Sequence, residues 1–227
     1  MKLDVGMLTH DLKSIPGHAR KVEAMGYDCL WSSETQHDPF LPLAVAATVT
    51  STIKLGTAIA VTFPRSPMVL AHIAWDLQKA SDGRFILGLG TQVKGHNERR
   101  FSVKFESPGP KMREVVLALR AIWDCWQNGA KLAFKGQFYR FDLMTPFFNP
   151  GPIAHPKIPV YIAGVNQYMC RVAGEGVGAE PADEVGLEDA DRHLRREHDD
   201  VGRREREERR GDRTLEEPPS RRVHVTC

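Results

Sequence analysis

Through the first 175 residues, short apolar runs alternate with longer segments in which apolar positions recur every three or four residues. That alternation predicts strand–helix units and a parallel sheet. Strands are expected over residues 3–8, 28–33, 53–61, 85–90 and 159–163. The first helix opens at Ser14 and Pro16, residue types suited to an N-cap and a first turn, and runs through Val22 to Met25, where Gly26 stops it. Further helices are expected over 41–50, from Pro67 to Ala80, over 111–127, and from 166 to 173. In the 111–127 helix, Val115, Leu119, Ile122 and Trp126 share one face. Ser81-Asp82-Gly83-Arg84 reads as a tight turn, and residues 133–141 as a small hairpin centred on Lys135-Gly136.

Five such units suit a closed barrel or an open doubly wound sheet, and periodicity does not choose between them. In both, ligand chemistry gathers at the carboxyl ends of the strands, where loops and helix N-termini converge. The second strand ends in Glu34-Thr35-Gln36-His37-Asp38, whose carboxylates and imidazole are suited to acid–base work; equally, Asp38 is placed to cap the next helix. The third strand carries Gly56-Thr57-Ala58, small residues that permit a bulge or the close approach of a planar ligand. Gly88-Leu89-Gly90-Thr91 ends the fourth strand without the third glycine or the later acidic residue of a nicotinamide site, which excludes that reading. Gly164-Val165-Asn166 stands where a helix begins, and free backbone N–H groups there suit a phosphate, although a plain turn glycine fits as well. Neither His96 with Glu98 nor His10 with His18 has ligand-pair spacing on one helix face, so no metal is expected.

Composition narrows the class. Hydrophobic residues make up 41% of the 227, and no apolar run reaches the 18 residues of a membrane span. The N-terminus lacks the basic and apolar regions of a signal peptide. Cys29, Cys125 and Cys170 form no CxxC pair and read as buried thiols, with Cys227 in the tail, so a cytoplasmic protein is expected. Residues 1–175 hold 20 Lys and Arg against 14 Asp and Glu. That mild excess suits an anionic small ligand and is too scattered for nucleic acid.

Taken in order, the strand ends carry a resemblance. Gly56-Thr57 followed by Arg65-Ser66-Pro67, then Asp82-Gly83-Arg84-Phe85 and Gly88-Leu89-Gly90-Thr91, with Tyr27–Phe40, the hairpin Phe134-Lys135-Gly136-Gln137-Phe138-Tyr139 and Pro159–Glu175, resemble the luciferase-like monooxygenase superfamily. Within it they resemble the branch that uses the deazaflavin coenzyme F420, and the likeness covers essentially all of residues 1–175. It implies an α/β fold of the (β/α)8 TIM-barrel type, with about the first five βα units present. It also implies hydride transfer between the deazaflavin C5 and a small organic substrate, with FMN-dependent monooxygenation and a non-catalytic fragment as alternatives. The family's bulge, with a non-prolyl cis peptide backing the cofactor ring, maps to Ala58-Ile59. Gly90 and Gln92 map to positions flanking the ring, and Gly164, Val165 and Asn166 to the phosphate site. Where some relatives place a histidine at the second strand end, this chain has Thr35, with Glu34 beside it and His37 two residues on. Glu34 and His37 are the proton-handling candidates. A small-molecule substrate and a homodimer are expected, with neither nucleic acid nor membrane as partner.

The pattern changes after residue 175. All 18 aromatic residues precede 176, and half of residues 176–227 are Asp, Glu or Arg. Such a segment has too little apolar area to offset its ordering entropy, so it is expected to be disordered or at most a solvated helix, outside the barrel. It reads as a native charged tail or, the favoured reading, as the product of a reading-frame change near Glu175, because the residue types it lacks are largely those of A/T-rich codons. The coding DNA tests this: a one-base shift near codon 175 should restore an apolar, strand-patterned sequence, and its failure to do so rules out the frame change.

Overall fold

The computed structural model describes residues 3–7, 9, 11–164 and 167–178, with side chains through Gly174. Leu8, His10, the phosphate-site candidates Val165 and Asn166, and the tail beyond 178 lie outside the described residues.

The chain alternates strand and helix: β1 (Asp4–Gly6), α1 (Ile15–Ala24), β2 (Cys29–Ser32), α2 (Phe40–Ala47), β3 (Lys54–Thr57), β4 (Ala60–Val61), α3 (Pro67–Ala80) and β5 (Phe85–Gly90). There follow α4 (Lys94–Arg99), α5 (Pro108–Asn128), a hairpin of β6 (Phe134–Lys135) and β7 (Arg140–Phe141), a 3-10 turn at Pro146–Phe148, β8 (Val160–Ile162) and α6 (Gln167–Gly178). Apart from the hairpin, every pairing is parallel and follows chain order, β1 to β2 to β3/β4 to β5 to β8. A doubly wound sheet reverses its strand order, and none reverses here. The arrangement is that of the first βα units of a (β/α)8 barrel.

The expected third strand, 53–61, is two strands. β3 pairs with β5 at Leu55↔Phe85 and Gly56↔Ile86, whereas β4 resumes at Ala60↔Leu89. Three residues (57–59) therefore oppose two (87–88), which is a bulge. The Ala58–Ile59 peptide within it is cis. Thr57, 1% exposed, fills the gap in the ladder: its hydroxyl donates to Gly88 O at 2.7 Å and accepts from Gly88 N at 2.8 Å.

Helices cover the outer face of the sheet. Leu30, Leu55, Phe85, Leu87 and Leu89 pack with apolar residues of α1, α2, α3 and α5 into one buried cluster. Trp75 of α3 meets Trp126 of α5 edge-on, ring centroids 5.6 Å apart. The expected α5 face is buried at Val115, Leu119, Ile122 and Trp126.

Other expectations shift. Ser14 stands at the start of α1, but its side chain gives no cap; its hydroxyl donates to Asp11 O instead. The hairpin pairs Phe134↔Phe141 and Lys135↔Arg140, which moves the turn to Gly136–Tyr139. Helix α4 was not anticipated. Of the cysteines expected to be buried, Cys29 and Cys125 are, while Cys170 is exposed. Burial, then the charge of Asp4, pushes the Cys29 thiol up to about 12, which keeps it unreactive.

One carboxylate fixes the α2–β3 connection. Glu23 Oε1 accepts from Ser51 N, Thr52 N, the Thr52 hydroxyl and Ile53 N at 2.6–3.1 Å. On the other side Arg84 donates to Thr50 O and Ile53 O at 2.8 and 2.6 Å. Burial raises the Glu23 carboxyl, but these hydrogen bonds outweigh it and hold its pKa at about 2, against an ordinary 4.5. A depressed carboxylate pKa gives stability that is present above about 4.5 and lost as pH falls towards 2. Glu23→Gln is expected to cost about 1 kcal/mol at neutral pH, a value reduced for solvent screening of this half-buried group. The difference from wild type should shrink over that acid window in urea unfolding; a difference independent of pH would contradict the assignment.

Candidate active site

The bulge lies beside the end of β2, and the two are joined by short hydrogen bonds. Ala58 N donates to Ser32 O at 2.8 Å and Glu34 N donates to Ile59 O at 3.2 Å. The Ser33 hydroxyl donates to Ala58 O at 2.8 Å. Ala58 is exposed and Ile59 half-buried. The Ile59 side chain lies against Gly90, where a Cβ would come within 2.7 Å of it. Of the three residues that the resemblance implies to line one ligand, Ala58, next to Ile59 in the bulge, is exposed, and Gly90 is buried beneath the Ile59 side chain. Two residues on, Gln92 adopts φ 56°, a left-handed conformation uncommon outside glycine, and its side chain accepts from Val93 N. Gly164 follows β8, whose neighbouring Ala163 N donates to Leu89 O at 2.9 Å. That bond puts Gly164 at the carboxyl end of the strand beside β5.

The acid–base candidates at the β2 end separate. Glu34 has a side chain only 5% exposed. Its Oε2 accepts from Val61 N at 2.7 Å and from Arg65 Nη1 at 2.7 Å. Arg65 also donates to Asp38 Oδ2 at 3.0 Å and to Val61 O at 2.8 Å, and its guanidinium lies 5.4 Å from the Phe40 ring centroid. Asp38 meanwhile caps α2, accepting from Phe40 N at 2.8 Å and Leu41 N at 3.2 Å. Glu34 and Asp38 are therefore acceptors in a network that ties the β2–α2 loop to the end of β4. His37 stands exposed on the same loop, between the two tethered carboxylates.

Sequence reasoning passed over three residues. Arg65 was noted as part of a motif, but its charge balance with Glu34 and Asp38 spans 27 to 31 positions and carries no local signal. Thr57 looked like a small strand residue. Asn97, fully buried, donates to Thr91 O and Val93 O and so fixes the turn between β5 and α4. Among the described residues no group of three or more His, Cys, Asp or Glu is placed to hold a metal, and no helix is long and apolar enough to cross a membrane.

Comparisons with known proteins agree on one family. The model of the luciferase-like monooxygenase family matches residues 3–210. A Mycobacterium tuberculosis protein of uncharacterised function is 49% identical over 175 residues, covering 77% of this chain and 51% of the relative. An F420-dependent glucose-6-phosphate dehydrogenase of Intrasporangium calvum is 29% identical over 179 residues, covering 71% of this chain and 51% of that protein. Among solved structures, the oxygenating constituent of 3,6-diketocamphane monooxygenase from Pseudomonas putida, in complex with FMN, matches with TM-score 0.60 at 16% identity, covering 72% of this chain and 51% of that one. The chain thus spans about half the length of the curated relatives it matches.

The reciprocal Thr57–Gly88 bonds can be tested directly. Thr57→Val keeps the shape and removes the hydroxyl, leaving a buried N–H and C=O without their partner. It should cost about 2–4 kcal/mol, for two lost bonds each worth about 1–2 kcal/mol. Denaturant unfolding reads the loss; a change below about 0.5 kcal/mol would mean that the bulge does not depend on them.

Proposed function

The chain belongs to the luciferase-like monooxygenase family, and on that footing we propose that it serves an F420-dependent oxidoreductase acting at the carboxyl ends of β2 to β8. The observation that carries this reading is the Ala58–Ile59 bulge among the strand ends, exposed at Ala58 and half-buried at Ile59, whose side chain covers Gly90, set beside the tethered loop that bears His37. That bulge suits a planar ring: it offers the Ala58 methyl and the aliphatic side chain of Ile59. Coenzyme F420, when bound, supplies a ring carbon that gives or takes a hydride. Ala58, Ile59, Gly90 and Gln92 would hold the ring, and Gly164 with Val165 and Asn166 the phosphate.

The chain's own residues then do three things. The Ser33 hydroxyl, Ser32 O and Glu34 N hold both sides of the Ala58–Ile59 peptide in place. Glu34, Arg65 and Asp38 fix the β2–α2 loop, so a side chain on it keeps its position relative to the bulge. His37 on that loop holds or releases the proton at the substrate oxygen, with Glu34 the second candidate for that role. The dependence on F420 rests on the dehydrogenase relative at 29% identity. FMN is the second reading, favoured by the match to a monooxygenase solved with that cofactor. Retention of one cofactor and not the other by the purified 227-residue chain, read by absorbance, separates them. Size exclusion and circular dichroism address the third alternative, since a non-catalytic fragment should be aggregated or molten.

His37→Ala is expected to slow hydride transfer about a hundredfold while changing cofactor affinity less than threefold. Single-turnover absorbance and a fluorescence titration measure the two effects. Equal rates in wild type and variant would remove His37 from the mechanism.

A further inference from the structure

The segment after β5 holds cations that nothing so far uses. Helix α4 and the residue after it border an open depression of about 430 Å³, lined by Val93, Gly95, His96, Arg99 and Arg100. That volume admits a small organic molecule. Arg65 and Arg140 are paired with carboxylates, whereas Arg99 and Arg100 have no carboxylate within salt-bridge distance among the described residues. Nor are they loose. Arg100 donates to Thr35 O at 2.7 Å and lies 4.8 Å from the Phe101 ring centroid, and the Arg99 guanidinium folds over Gly95, where a Cβ would meet it at 3.1 Å. Beneath them the buried Asn97 pins the backbone through Thr91 O and Val93 O. The depression is thus positively charged, held in shape, and tied by Arg100 to the loop that carries His37.

We propose that this depression is a subsite for an anionic group, a phosphate or a carboxylate, carried by the small-molecule substrate. The placement follows from two attachments: α4 leaves the carboxyl end of β5 directly, and Arg100 reaches Thr35, between Glu34 and His37. An anion held by two guanidiniums there anchors the far end of a substrate whose reacting carbon lies towards the bulge. Arginine suits the task because its planar fork binds such groups through paired, charge-assisted hydrogen bonds. The substrate part of this inference rests on the proposed oxidoreductase function; the anion site itself does not.

The test is calorimetric titration of inorganic phosphate into the 227-residue chain at constant ionic strength, with Arg99→Gln and Arg100→Gln, alongside a fluorescence titration of F420. Wild type should bind phosphate saturably, and Arg99→Gln should weaken it at least tenfold with F420 affinity unchanged within twofold. Arg99 is exposed and outside the core, so the variant should fold; an unchanged far-UV spectrum checks this, and Arg100→Gln gives a second reading of the same site. Absence of saturable phosphate binding, or equal binding in wild type and both variants, overturns the proposal. A parallel loss of F420 affinity also overturns it, because the anion would then belong to the cofactor. If F420 fails to bind wild type while phosphate binding still depends on Arg99, the cofactor reading falls and the anion subsite stands.

Discussion

A single threonine hydroxyl lets two registers coexist in one strand. Below residue 57 the strand pairs with β5 at an offset of 30 residues, and above residue 59 at an offset of 29. Because side chains alternate across a sheet, a slip of one residue would normally turn every later side chain to the wrong face. The hydroxyl of Thr57 takes both backbone groups of Gly88 at the point of the slip, so the ladder closes on either side of it. The position of Ala58, its contact with Ser32 and Ser33, and the packing of Ile59 on Gly90 follow from that one substitution of side chain for backbone.

Three carboxylates elsewhere repeat the theme of a side chain serving a distant backbone. Glu23 accepts from the amides of Ser51, Thr52 and Ile53, Glu34 from Val61, and Glu114 from Gln137, Phe138 and Tyr139. Each reaches backbone amides at least 23 residues away. Charged acceptors make stronger bonds to amides than neutral ones, so a few of them can define connections with little apolar area of their own.

Legibility in the sequence tracks how local each determinant is. Helix α3 and strand β5 have the bounds expected for them, because Ser66-Pro67 starts the one and the Ser81–Arg84 turn separates it from the other. Ser66 accepts from Met68 N, a cap that acts within three residues. The choice of a singly wound order was not legible, since it depends on which strands become neighbours. Nor was α4: Lys94-Gly95-His96-Asn97-Glu98-Arg99 shows no apolar stripe, and its turn is set by a buried asparagine instead. At the candidate site, residue patterning indicated small residues and a possible bulge on the third strand, and the family resemblance located it at Ala58-Ile59, while the Glu34–Arg65–Asp38 network stayed hidden behind its long sequence separation.

The Glu114 cradle has a consequence for how the hairpin can change. Its turn is shaped by an acceptor outside itself, and the three donors are main-chain amides that every residue but proline possesses. Exposed Gln137 can therefore be exchanged for almost any residue but proline without altering the loop, which makes it a permissive place for a label, whereas Phe138 is half-buried. Gly136 cannot change in this way, because a Cβ there would come within 2.1 Å of the Glu114 carboxylate. Nor can the loop lose a residue, because its amides would no longer converge on one carboxylate. Variation at this tip is free in composition at Gln137 and fixed in length.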